Sequence, residues 1–199
     1  TGGKDIEKIP LEWLYGPGVV VDVGDVGDLG LYTPEIVEKR VDLHDGDILV
    51  VHTGFHRYAW YQPQGMADEE RYIHLHPGPS REWVPWVIRR KIKVWGVDAV
   101  STDHPLNLPI GRPEFGLRCV PKVRALAEKK FGKENLDRLF PKEDYQLTHN
   151  ELFPHDIIHM ENLGGDIEKV LNQRLTIGCF PWKFRGGESA FARVVAFVE

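Results

Sequence analysis

The sequence predicts one mixed α/β domain, and three observations carry that prediction. Short β-branched runs at Gly18–Val23, Asp47–Thr53 and Val94–Ser101 read as buried strands. Helix-compatible segments lie between them, so Asp47–Thr53 and Val94–Ser101 are expected to pair in parallel through a right-handed crossover. The chain has 199 residues, 42% of them hydrophobic and 28% charged, which suits a single globular core.

Each element has a local reason. Thr1–Pro10 is polar and begins no regular element. An N-terminal threonine can act as a nucleophile with its own amine as base, but the flexible Gly-Gly-Lys after Thr1 argues against that role here. Gly18–Val23 follows a Gly-Pro-Gly turn. Thr33 then Pro34 places a cap before a proline at the first helical position, predicting a short helix through Arg40. Gly54 ends the second strand. Arg57–Pro79 has no sustained period but holds Tyr58, Trp60, Tyr61 and Tyr72, and is expected to form a packed lid or pocket wall. Ser80 opens a helix to Lys91, with Pro85 in its first turn or kinking it. Val120–Phe131 reads as an amphipathic helix with Val123, Leu126, Ala127 and Phe131 on one face. Leu147–Gly165 is expected to run from helix to strand. Arg174–Phe184 and Ala190–Val198 are expected to form a hairpin around Gly186-Gly187.

Bulk properties exclude several classes. Net charge is −5 and the basic residues are scattered, so nucleic acid is not an expected partner. The chain has no apolar run near the roughly 18 residues that span a bilayer, and no signal peptide is recognised, so a cytoplasmic, non-membrane protein is expected. Cys119 and Cys179 lie far apart without a C-x-x-C, which suits two reduced thiols.

The densest chemistry lies in Leu147–Gly165, where His149, His155, His159, Glu151, Asp156 and Glu161 alternate with apolar pairs. Imidazole and carboxylate groups bind metals and move protons near neutral pH. His52 and His56 have the spacing of a metal pair on a helix, but here they follow a strand. In extended chain they would sit about 13 Å apart, at roughly 3.3 Å per residue. They are therefore expected to line a pocket mouth instead of sharing an ion. Ser101–Pro105, with Asp103 and His104, lies beyond a strand's carboxyl end, where α/β sheets gather ligands; substrate binding and plain turn chemistry both remain open. His74 and His76 alternate in a turn-rich loop that could equally be simple surface.

Read together, several stretches resemble the cyclase family of metal-dependent hydrolases. They are Pro10–Val23, Asp47–Phe55, His76–Ser80, Gly96–Asp103, His149–Phe153, Glu161–Leu163 and the closing F-P-W-K-F-R-G-G, in order along nearly the whole chain. The resemblance implies a swivelling β/β/α fold and hydrolysis of a C–N amide bond, or a lactone, in a small cyclic or aromatic substrate. It implies a divalent Zn²⁺ or Mn²⁺ cofactor and oligomers. It also implies that His149 moves a proton and that Glu161, twelve residues later, lies at the metal, both being catalytic and metal-ligating candidates. His56, Trp60, His76, Asp103 and His104 are the candidates for substrate binding. The family's H-x-G-T-H-x-D motif is not in the sequence, and Tyr58 stands where the pattern at His52–His56 would need Asp. Remaining ligands are thus expected outside this chain, which would be the larger C-terminal part of a hydrolase, a subunit beside a second chain, a truncation, or a non-catalytic binding or assembly subunit.

Overall fold

The structure is a computed structural model that describes residues 2–62 and 66–198; Thr1, with its nucleophile reading, lies outside them. A six-stranded mixed sheet organises the chain in the order β6-β5-β3-β1-β7-β8. Its strands are β1 (Tyr15–Asp22), β3 (Ile48–His52), β5 (Val94–Val97), β6 (Ile158–Met160), β7 (Gln173–Pro181) and β8 (Ala192–Phe197). The first four run parallel, whereas β7 is antiparallel to β1 and β8 to β7. A two-residue parallel pair, β2 (Leu31–Tyr32) with β4 (Gly78–Pro79), stands apart.

Side chains alternate across the sheet with period two, and both faces are covered. Val19, Val21, Leu49, Val51, Trp95 and Val97 face one way, in a core with Val37 of α1 (Pro34–Arg40), Trp83 and Trp86 of α3 (Trp83–Arg89), and Leu147 and Leu152 of α6 (Leu147–Leu152). Val20, Ile48, Val50 and Val94 face the other way, against Met160, Ile167, Val170 and Ile177. Two buried faces explain why these strands read as continuous apolar runs. A satellite core joins Leu29 and Leu106 to α4 (Val120–Phe131) and α5 (Leu136–Leu139).

Most local expectations match. Thr33 accepts the Ile36 amide at α1, Pro85 sits in the first turn of α3, and β3 pairs in parallel with β5. Leu126 departs from its predicted face and is 37% exposed. Arg57–Pro79 is less loop-like than predicted, since it closes a 3-10 turn (Phe55–Tyr58), forms α2 (Glu69–His74) and supplies β4. Asp68 caps α2 by accepting from the Arg71 amide, a local signal the aromatic composition obscured. Residues 63–65 of that segment are among those not described. The hairpin loop is longer than predicted, with the Trp182 amide donating to Phe191 across it.

Candidate active site at the carboxyl edge of the parallel strands

Four parallel strands end side by side on polar residues. Asp22 ends β1 in register with His52, the last residue of β3. Asp98 follows β5 and Glu161 follows β6. This edge is where open α/β sheets collect ligands, and it carries two hydrogen-bonded clusters.

The first cluster is built on α6 and the loop after β5. His149 Nδ1 lies 2.7 Å from Asp103 Oδ2, and the Thr148 amide donates to Asp103 Oδ1 at 2.7 Å. With Nδ1 donating to Asp103, His149 Nε2 faces Glu161 Oε1 at 3.6 Å. The Thr102 amide donates to that same Glu161 oxygen at 2.8 Å. Thr102 Oγ1 also contacts Glu161, Thr148 and His159. Burial pulls His149 down, but the hydrogen bond and charge of Asp103, with Glu161, outweigh it and leave its pKa raised. His159, partly buried beside it with its Nε2 enclosed, is held well below the ordinary imidazole value by desolvation and by the neighbouring His149.

The second cluster forms where β3 turns. Gly54 adopts φ +80, a left-handed conformation that glycine tolerates, and the 3-10 turn after it folds the chain back. The His52 and His56 ring centroids are therefore 5.4 Å apart, correcting the extended-chain estimate. Among the described residues, His52, His56 and Asp98 form a buried group whose candidate ligand atoms lie within 4.8 Å of one another. Asp98 Oδ1 accepts from the Thr53 amide and hydroxyl, and Oδ2 from the Gly54 amide and His56 Nδ1. Burial would raise the Asp98 pKa, yet the His56 hydrogen bond, the His52 charge and the Thr53 donors bring it below the ordinary value. Charges from both clusters reach the buried Tyr32 hydroxyl, which has no hydrogen-bond partner among the described residues and whose pKa is raised chiefly by burial.

Of the predicted site residues, the fold brings His149, Glu161 and Asp103 together in the first cluster and puts His56 in the second. Three others depart from an open pocket wall. Trp60 is 68% exposed and packs edge-on against Tyr61, while Phe55 and Ala59 of the same stretch are the residues that enter the core. His104 is fully buried, with Nε2 donating to the Leu29 carbonyl, Nδ1 accepting from the Leu106 amide and the ring stacked on Phe140. Both ring nitrogens hold backbone, which is a structural use. His76 is also fully buried, its Nδ1 on the Pro77 carbonyl and its Nε2 without a partner among the described residues. Burial pushes it down to about 4, partly opposed by Asp103 and Asp98. Asp98 was not singled out from sequence, and Thr102 and His159 were noted only as members of the Ser101–Pro105 and Leu147–Gly165 segments; the place of Asp98 and Thr102 just beyond β5, and of His159 within β6, was the available signal.

Fold and edge together define an α/β protein with His-carboxylate chemistry at its strand ends. The chain belongs to the cyclase family: the family model described as "Putative cyclase" matches residues 1–104. No curated protein matches it significantly. Among solved structures, an isatin hydrolase bound to the product analogue thioisatinate aligns at 17% identity with TM-score 0.66, over 98% of this chain and 64% of that one. Isatin hydrolase A from Ralstonia solanacearum aligns at 19% with TM-score 0.66, over 100% and 66%. A third, a potential metal-dependent hydrolase with cyclase activity, aligns at 20% with TM-score 0.60, over 98% and 71%. The chain thus spans just under two thirds of the length of each isatin hydrolase and has their mixed α/β fold, the swivelling β/β/α domain of the family.

Proposed function

We propose that the chain provides catalytic residues of a cytoplasmic metal-dependent hydrolase that opens a C–N amide bond, or a lactone, in a small cyclic or aromatic substrate. The observation that supports this best is the Asp103–His149–Glu161 line. A carboxylate on Nδ1 fixes the imidazole tautomer and leaves Nε2 facing a second, half-buried carboxylate. Histidines that hold metal ions are characteristically oriented this way. His149 and Glu161 therefore fit a divalent ion, and their mixed nitrogen and oxygen donors suit Zn²⁺ and Mn²⁺ alike. Such an ion, when bound, acidifies water and polarises a carbonyl.

The chain's own residues do the rest. Ligation and proton transfer are alternative uses of His149 Nε2: when that nitrogen carries a proton and not the ion, Asp103 stabilises the imidazolium, and His149 can deliver the proton to a leaving nitrogen. Thr102 holds Glu161 Oε1 with its amide and hydroxyl, which fixes the carboxylate against the ring. Structural similarity to isatin hydrolases makes small aromatic cyclic amides the first substrates to screen. We also propose self-association through the β7–β8 hairpin, supported by the exposure of Trp182, Phe191 and Phe197. The test is turnover of cyclic amides and lactones with Zn²⁺ or Mn²⁺ present. His149→Ala, with metal content unchanged, should lower kcat by about 100-fold or more; turnover within a few-fold of the parent would refute the role.

A further inference from the structure

His52 is a buried imidazole in an unusual electrical position. Its Nδ1 contacts Asp22 Oδ1 at 2.8 Å, while its Nε2 is buried without a hydrogen-bond partner among the described residues and lies 3.8 Å from Asp98 Oδ2. If Nδ1 donates to Asp22, a neutral ring turns its Nε2 lone pair toward a carboxylate, which is repulsive unless a cation lies between them. His56 repeats the pattern. Its Nδ1 donates to Asp98 at 2.7 Å, and its Nε2 faces Glu168 Oε1 at 3.3 Å. Each histidine therefore has Nδ1 on one carboxylate and Nε2 aimed toward another.

We propose that this turn is a divalent-cation site separate from His149 and Glu161, held by Nε2 of His52 and His56 with Glu168 Oε1 as the facing oxygen, Asp98 staying on the Nδ1 side of the His56 ring. Two imidazoles and one carboxylate make the three-donor set to which Zn²⁺ adds a solvent molecule as its fourth ligand. Asp22 and Asp98 act as the orienting partners of the two rings. One group opposes the ion. Arg57 Nε donates to Glu168 Oε1 at 2.7 Å, so the cation and Arg57 compete for that carboxylate. The inference does not rest on the hydrolase reading, because the two clusters share no residue and metal binding here needs no turnover.

The experiment loads the chain with Zn²⁺ and, separately, with Co²⁺, and measures stoichiometry and affinity by titration calorimetry and the visible Co²⁺ spectrum. The parent, His52→Gln, His56→Gln, Glu168→Gln and His149→Gln are compared, with circular dichroism confirming that each is folded. One ion should be lost, or bound at least tenfold more weakly, in His52→Gln and His56→Gln. His149→Gln should retain it, and Glu168→Gln, whose site is half-exposed, should weaken it without disturbing the fold. Histidine ring ¹⁵N shifts give an independent reading that needs no variant: Zn²⁺ should move the His52 and His56 Nε2 resonances. Unchanged binding in both histidine variants would overturn the proposal. So would a His52 ring protonated on both nitrogens and indifferent to Zn²⁺, since a proton would then be the balancing cation.

Discussion

At the residue scale, burial and hydrogen bonding decide which histidines are available for chemistry. Asp103 shows this for His149. Asp103→Asn keeps an acceptor for one of its two contacts but removes the charge that favours an imidazolium, so the proposed turnover should fall 10- to 100-fold. Steady-state kinetics on the metal-loaded variant would read that loss, and an unchanged kcat would count against the Asp103–His149 pairing. His104 is the opposite case. Burial, first of all, holds its pKa down to about 3, against an ordinary value of 6.5. Unfolded, it takes a proton near 6.5; folded, it refuses one until far lower pH. Between those values the unfolded chain binds the extra proton, so stability present above pH 6.5 is lost as pH falls toward 3. Urea midpoints measured from pH 7 to pH 4.5 should drop steadily, while the His104 ring keeps the Nε2–H tautomer by ¹⁵N shift. A flat midpoint would show that the ring is not confined as described.

At the element scale, legibility followed how local the cause was. The Thr33-Pro34 start of α1, the apolar runs of β1, β3 and β5, and α4 with its bounds at Val120 and Phe131 were readable because cap chemistry and side-chain period act within a few residues. The His149, Asp103 and Glu161 set was nameable from residue type and family resemblance, but their convergence came from α6, the β5 loop and β6 packing together. His52 and His56 were misjudged because one glycine changed the path. Gly54 at φ +80 reverses the chain, whereas the distance estimate assumed continued extension. Gly54→Ala should therefore cost about 1–2 kcal/mol for a left-handed alanine and weaken Zn²⁺ binding at the turn. A thermal melt and a Zn²⁺ titration on the same sample would check both. Full retention of melting temperature and affinity would mean that the turn does not need its left-handed residue.

At the scale of the whole molecule, what is left uncovered matters most. β8 is an edge strand, and the hairpin it makes with β7 presents Trp182 at 77% exposure, Phe191 at 95% and Phe197 at 51%. Edge strands with exposed aromatic side chains are prone to pair with another chain unless charge or a covering element protects them. Only Glu188, Arg185 and Arg193 put charge in or beside the loop between the two strands among the residues from Lys183 through Arg193, apart from Lys183 itself. The sequence had put a hairpin here, but period-two patterning does not say whether its outer surface meets water or protein. Self-association through this arm would bury the aromatic side chains and continue the sheet. Sedimentation velocity at micromolar concentration should then give a dimer or larger assembly. Phe191→Glu together with Trp182→Glu should shift it toward monomer while the far-ultraviolet spectrum stays the same, because neither side chain contributes to the three buried cores. A parent chain that remains monomeric at all concentrations would remove the arm as an assembly surface, and with it the one role that the exposure of these aromatics supports.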